Sequence, residues 1–370
     1  MKFNCNQQIL SKALNTVSKA VTVRTTIPIL KGILIKAEGN TVTFSASDLD
    51  ISIEKKIDAV VENEGSIVVS AKLFTDIIRK LPNDTIDIEI INGNNVIIKT
   101  SASEFTIVGQ SADEFPNTGE IDEEISRLSF DKEIFKSMIK KTYFSASTDE
   151  SKGVIVGVLL EMEENNFNMV ALDGFRMAVC REPMKNENTG NIIIAGKTLG
   201  EILKILSESD NDEDVSIILG KKKAMVYIDN TKISIRLIDG EFIRYKDILP
   251  KDKATKVIVD RNDLLTGIER ASLLAKEGKN NLIKCNIQGN LLTITSRSDE
   301  GTVKEDIIME KYGDNLEIGF NSKYLSEALK AIDDDEVVLE FKSSITPCII
   351  KPVEGNGYEY LVLPVRISSN

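Results

Sequence analysis

The chain contains no histidine and no tryptophan. The first absence removes Ser/His/Asp and Cys/His nucleophilic arrangements and most zinc sites, all of which use imidazole as base or ligand. The second, in a chain with only 5% aromatic residues, leaves little to stack on unpaired bases. Cysteine is scarce as well. Cys5, Cys180, Cys285 and Cys348 stand singly, which suits neither a disulfide framework nor a CxxC metal site and reads as small buried hydrophobes. No GxGxxG, GxxxxGK[ST] or DFG phosphate loop occurs. The longest apolar run, GVIVGVLL at 153–160, is far short of the roughly 20 residues that span a bilayer. The opening MKFNCNQQIL lacks the basic-then-apolar pattern of a signal peptide. These absences predict a cytoplasmic protein with no membrane partner, no cofactor, no metal and no catalytic residue.

What the chain does have is length and repetition. Its 370 residues exceed the size at which one hydrophobic core stops growing, so two or three domains are expected. Three segments, FNCNQQILSKAL, FDKEIFKSMI and VDRNDLLTGI, each read as a short strand, a polar cap and a helix with apolar residues at i and i+4. Three more lie between them: VVSAKLFTDIIRKL, IIAGKTLGEILKIL and GFNSKYLSEALKAI. The matched apolar positions Leu10, Phe74, Phe135, Leu199, Leu264 and Leu325 are spaced by 64, 61, 64, 65 and 61 residues. Period-two runs with polar turns follow each helix, for example TVTFSAS, or IDIEII and VIIKT around NGNN. Each unit is therefore β-α-β-β-β, and two units make a domain. The predicted fold is α+β, with domains at 1–120, 127–248 and 249–370 and linkers near 117–126 and 250–256.

A net charge of −12 argues, taken whole, against a nucleic-acid partner. Its distribution argues otherwise. The six predicted helices together carry +7, which leaves −19 for the rest. Lys12, Lys19, Lys72, Lys136, Lys140 and Lys197 carry much of that positive charge. If the helices line the inside of a closed assembly, twelve of them at about 10 Å spacing leave a hole of roughly 28 Å, and six leave about 9 Å. Duplex DNA is roughly 20 Å across. A head-to-tail homodimer is then the smallest ring that passes DNA, gripping the backbone without sequence preference. Lysines on solvated helix faces also have a plainer explanation as ordinary surface charge. Two other readings stay open. One is a repeat-domain scaffold that binds peptides without encircling DNA. The other is a metal-dependent hydrolase using the acidic runs at 210–214 and 333–336, although these sit where solvated loops are expected.

The segment ALDGFRMAVC at 171–180 reads first as a β-hairpin with Asp173 and Gly174 in the turn, with similar turns near Asp48 and Asp299. Only the middle copy follows the turn with Phe175, Arg176 and Met177. Together with TTIPIL, FSASDLD, DEFPN, LIDGEF, LEIGFN and the C-terminal YLVLPVR, it makes the whole chain resemble the bacterial DNA polymerase III beta subunit, the sliding-clamp family. That resemblance implies a non-catalytic homodimeric ring on double-stranded DNA that tethers replicative polymerase and repair factors through short linear peptides and is placed by a clamp loader. It implies a peptide pocket at Ile155, Leu172, Gly174, Arg176, Met177, Ile243, Ile248, Ile345, Val362, Leu363, Pro364, Val365 and Arg366. By itself the LVLP run reads as an ordinary core strand. The family's usual His, Pro and Arg are Phe175, Ile243 and Asp247 in this chain, and Pro347 replaces a small polar residue. The resemblance further implies a dimer contact of Phe105 and Ile107 with Leu273 and Leu274, and DNA contact by Arg24.

Overall fold

A computed structural model of the chain describes residues 1–22, 24–117, 121, 123–185, 189–209, 211–250 and 252–367. Part of each expected linker (118–120, 122 and 251) and Asp210 of the first acidic run lie outside the described residues.

The first repeat comprises β1 (Lys2–Asn6), α1 (Gln7–Val17), β2 (Gly32–Glu38), β3 (Thr41–Ser47), β4 (Ile51–Asp58) and a short β5 (Val60–Asn63). Its second half is β6 (Gly65–Ser70), α2 (Ala71–Lys80), β7 (Thr85–Ile91), β8 (Asn95–Lys99) and β9 (Glu104–Val108). The second repeat comprises β10 (Ser126–Phe130), α3 (Lys132–Lys140), β11 (Gly157–Met162), β12 (Asn166–Leu172) and β13 (Arg176–Pro183). It continues with β14 (Gly190–Ala195), α4 (Gly196–Glu208), β15 (Val215–Leu219), β16 (Lys223–Ile228) and β17 (Thr231–Arg236). The third comprises β18 (Thr255–Asp260), α5 (Arg261–Ala275), β19 (Leu282–Gln288), β20 (Leu291–Ser298), β21 (Gly301–Ile308) and a short β22 (Glu310–Gly313). It closes with β23 (Leu316–Asn321), α6 (Ser322–Ala331), β24 (Glu336–Phe341), β25 (Cys348–Pro352) and β26 (Tyr358–Val362).

The β-α-β-β-β unit thus occurs six times. At five of the six junctions strand passes into helix at a polar residue whose side chain satisfies the first free amides, and at α4 the junction residue is Ala195. Asn6 accepts from Gln8 N at 2.9 Å, Asp131 from Glu133 N at 2.9 Å, Asp260 from Asp263 N at 2.8 Å and Asn321 from Lys323 N at 3.0 Å. Sequence periodicity missed β5 and β22. Each is a four-residue continuation of a long hairpin arm that leaves its own sheet and pairs with β1 or β18 of another.

Strand pairing ties neighbouring repeats together. In one eight-stranded sheet, ordered β10-β15-β16-β17-β4-β3-β2-β6, the last strand of repeat two pairs with the last strand of the first half of repeat one. A nine-stranded sheet, β14-β11-β12-β13-β26-β25-β24-β18-β22, joins repeats three and two by the same rule through β26 and β13. The other two sheets, β5-β1-β7-β8-β9 and β21-β20-β19-β23, end on β9 and β21. As a result the chain separates by contacts into two compact units that cut across the repeats. One is 1–135 with 201–237, and the other is 136–200 with 238–370. In the second unit, the third repeat's core packs α5 and α6 residues such as Leu264, Ile268, Leu325 and Leu329 against Cys285, Ile294, Phe320 and Tyr360 of the sheets.

Candidate functional site

The turn between β12 and β13 is built on one carboxylate. Asp173 Oδ1 accepts from Phe175 N at 2.8 Å and Arg176 N at 3.0 Å, an Asx turn, and Gly174 takes the positive φ (95°) that this closure needs. Asp48 forms the same turn with Asp50 N and Ile51 N, and Leu49 carries the positive φ there. The third copy departs from expectation. Ser298 pairs directly with Gly301 around a two-residue turn, and its Oγ, not the Asp299 carboxylate, accepts from Glu300 N at 3.2 Å.

In the middle copy alone the turn continues into a buried cation. Arg176 is 9% exposed. Its Nε donates to Asp173 Oδ2 at 3.0 Å, Nη2 to the Phe144 carbonyl at 2.7 Å, and Nη1 to the Glu327 carboxylate on α6. The Tyr324 and Phe144 rings lie 4.7 and 5.4 Å from the guanidinium carbon, a cation–π arrangement. Arg176, expected to line the pocket, is nearly buried and ties the turn to the Phe144 carbonyl and to α6. The sequence held no signal for its partners Phe144, Tyr324 and Glu327, because they converge from two distant segments, the turn at 143–145 and α6.

Around this turn apolar side chains emerge at the surface. Leu172, Met177, Tyr245, Ile349 and Leu361 are buried in one cluster, with Ile155, Phe242 and Leu249 packed against it. Val362 is buried too, paired with Arg176 across β13 and β26. Exposed around them are Phe175, Ile243, Ile248, Ile345 and Leu363, with Gly174 and Arg366 also exposed and Pro364 and Val365 half-buried. Leu363 N donates to Phe175 O at 2.9 Å, and Val365 N to Gly319 O at 2.8 Å, so the C-terminal segment is laced along the turn and β23. Phe175 lies flat on Tyr324, with centroids 6.1 Å apart and planes inclined by 18°. All of these predicted positions lie in the second compact unit. Buried floor and exposed rim together make a surface fit for an apolar peptide side chain.

The predicted DNA-contacting residues differ in availability. Arg24, Lys12, Lys72 and Lys197 are exposed, and Lys136 is half-buried. Lys140 lies 2.5 Å from Asp333. Lys19 is the clearest departure: it sits in a 3-10 turn after α1, its side chain is 9% exposed, and it holds Glu208 at 2.7 Å. Lys19 therefore binds repeat one to repeat two and is not free for a phosphate. Lys72, Lys197 and Lys323 each occupy the second residue of a helix. A cation there opposes the helix dipole at a cost of about 0.3–1 kcal/mol, so three repetitions of it call for a reason outside helix stability.

Of the expected dimer residues, Phe105 on β9 and Leu273 on α5 are exposed, and Leu274 is half-buried. Ile107, on the same strand, is 7% exposed, its side chain packed in its own sheet's core.

A chain of three tandem repeats, each two β-α-β-β-β units, joined by pairing of their closing strands, has the architecture of the clamp proteins. Family models describing the N-terminal, central and C-terminal domains of the DNA polymerase III beta subunit match residues 1–119, 129–243 and 246–366. The chain belongs to that family. It is 36% identical to the beta sliding clamp of Staphylococcus epidermidis over 99% of both chains, and 35% identical to that of Bacillus subtilis over 99% of this chain and all of the relative. The crystal structure of the Bacillus subtilis sliding clamp superposes over the full length of both chains with a TM-score of 0.94. A Pseudomonas aeruginosa sliding clamp bound to griselimycin superposes over 99% of this chain and all of that one, with a TM-score of 0.92 at 27% identity.

Proposed function

We propose that this protein is a DNA sliding clamp: two copies, joined head to tail, close a non-catalytic ring of six domains around duplex DNA, and the surface around Gly174 and Leu363 tethers polymerase, clamp loader and repair proteins by short peptides. The observation that carries this reading is the joining rule. Closing strands pair across each repeat boundary within the chain, β17 with β4 and β26 with β13, and β9 and β21 are the two closing strands left over. An unpaired edge is a template for another strand, and the missing partner of each is the other, supplied by a second copy.

The charge pattern supports DNA as the cargo. Exposed Lys12, Lys72 and Lys197 would meet phosphates loosely, and the contact should weaken steeply with salt. Protein loaded onto nicked circular DNA should stay bound and then be released when the circle is cut to a linear form with free ends. Retention after cutting would sink the topological reading. Reversing Lys72 and Lys197 to Glu should lower association tenfold or more at about 50 mM salt and flatten the salt slope; an unchanged slope would leave the peptide-scaffold reading in its place.

A further inference from the structure

One edge of the docking surface is a segment with little structure of its own. Residues 242–249 carry exposed Ile243 and Ile248 on one side and send Phe242, Tyr245 and Leu249 into the apolar cluster around Leu172 and Met177. Among the described residues, the segment's backbone hydrogen bonds stay within it: Tyr245 N to Ile243 O, Asp247 N to Arg244 O and Ile248 N to Tyr245 O. Side chains alone fix where it lies on the sheet. Two of them are polar. Tyr245, 4% exposed, donates its hydroxyl to Glu161 Oε2 at 2.6 Å. Lys246 reaches Glu163 Oε1 at 2.5 Å and Glu161 Oε1 at 3.4 Å.

The acceptors are themselves held. Glu161 on β11 faces Asn168 on β12 across the ladder, and Asn168 Nδ2 donates to Glu161 Oε2 at 3.0 Å and Glu163 Oε2 at 3.1 Å. Burial and the Glu161 bond push the Tyr245 phenol well above its ordinary range, so it remains a donor at neutral pH. The hydrogen bond from Lys246 holds the Glu163 carboxyl below its usual range. A buried hydroxyl bonded to a carboxylate has one favoured position, since leaving either group unpaired costs about 1–3 kcal/mol. The arrangement is unlike the rest of the segment's contacts, which are apolar and non-directional.

We propose that Tyr245, oriented by Glu161 and through it by Asn168, is a positioning residue of the docking surface: it sets the register of residues 242–249 and hence the placing of Ile243 and Ile248 against Leu172, Met177 and Val362. The proposal rests on that surface being where peptide-like ligands bind. Pre-organising the rim lowers the ordering cost of binding, so loss of the anchor should raise the dissociation constant without unfolding the protein.

The probe is griselimycin, measured by calorimetry on the full chain with Met177→Lys as the control for the surface itself. Tyr245→Phe and Glu161→Ala are each expected to weaken binding about 5–10-fold, the combined variant by no more than either alone, and Glu161→Gln, which still accepts the hydroxyl bond, to stay within about twofold of wild type. Non-additivity in affinity, together with rescue by Gln, is what a general loss of stability would not produce. If Met177→Lys abolishes binding while Tyr245→Phe and Glu161→Ala leave it unchanged, the positioning role is overturned and the docking surface stands. If Met177→Lys binds as wild type, the docking surface itself falls. Should Glu161→Ala melt below the assay temperature, Tyr245→Phe against Glu161→Gln decides: weakening by the first with retention by the second supports the role, and equal affinities refute it.

Discussion

Replacing Arg176 with alanine is expected to lower the stability of the second compact unit by about 3 kcal/mol, read as a shift of the urea midpoint. The guanidinium gives Asp173, Glu327 and the Phe144 carbonyl one nitrogen each. Removing it leaves Asp173, whose side chain is 13% exposed, without its countercharge. Glu327 is 33% exposed and can rehydrate, which keeps the loss below that of a sealed ion pair. The stacking of Arg176 between Phe144 and Tyr324 is lost as well. Lysine in its place keeps the charge but not the planar fork that reaches three acceptors, so Arg176→Lys should recover less than half. A residue that only touched ligand would behave differently: alanine would leave the midpoint where it was. A shift under about 0.5 kcal/mol, within the ordinary spread for surface substitutions, would show that the turn does not depend on this side chain.

Arg176 also shows where sequence reading stops. The strand-helix-strand pattern, its polar caps and the strand alternation were legible because each is local and recurs at a spacing of 61–65 residues. The turn at Asp173 was legible for the same reason, since an Asx turn is written within four residues. The role of Arg176 was not, because Phe144 reaches it from the turn at 143–145 and Tyr324 and Glu327 from α6, both far away in the chain. Lys19 was misjudged by the same limit. A helix-end lysine reads as surface charge until Glu208, 189 residues away, is found 2.7 Å from it. Ile107 is expected at an interface from the family resemblance alone, and no local pattern shows that its side chain packs into its own core. The strands β5 and β22 escaped because a strand that changes sheets mid-run leaves no break in alternation.

Thr106→Cys combined with Thr302→Cys is expected to give, on mild oxidation, a covalently closed dimer in nearly full yield. The pairing follows from the two joints the chain already contains. The pairs Ser47 with Ser52, Leu172 with Met177 and Arg297 with Thr302 each enclose four residues, so Ser52, Met177 and Thr302 hold equivalent places. The cross-strand rows Phe3, Ile88, Ile98, Phe105 and Leu128, Ile217, Val226, Ile233 likewise equate Phe105 with Ile233. Within the chain Ile233 faces Ile53 and Ser234 faces Ser52. Transferred to β9 and β21, that register sets Phe105 opposite Val303, Thr106 opposite Thr302 and Glu104 opposite Lys304.

Burial and charge agree with this register. Ile53 and Ile233 are wholly buried at their joint, whereas Phe105 is 40% exposed in the single chain and awaits cover. Lys232 and Glu54 lie 3.7 Å apart at the equivalent place, and Glu104 with Lys304 repeats that pair with the signs exchanged. A slip of one residue would set inward-facing Phe105 opposite outward-facing Thr302 or Lys304, because side chains alternate faces while each strand stays fixed in its own sheet. Opposed residues on antiparallel strands have Cα atoms about 4.5–5.5 Å apart, within the span a disulfide needs. The native thiols do not compete: all four are buried, and burial pushes Cys180 up to about 11 and Cys5 and Cys285 up to about 12. Thr106→Cys with Val303→Cys, one residue out of register, serves as the control and should stay unlinked. Linking in the control but not in the pair would overturn the register, and a ladder of longer oligomers would show a head-to-tail contact that does not close. A closed dimer in the in-register pair alone would mean that the same strand rule which joins repeats within the chain also joins one chain to the next.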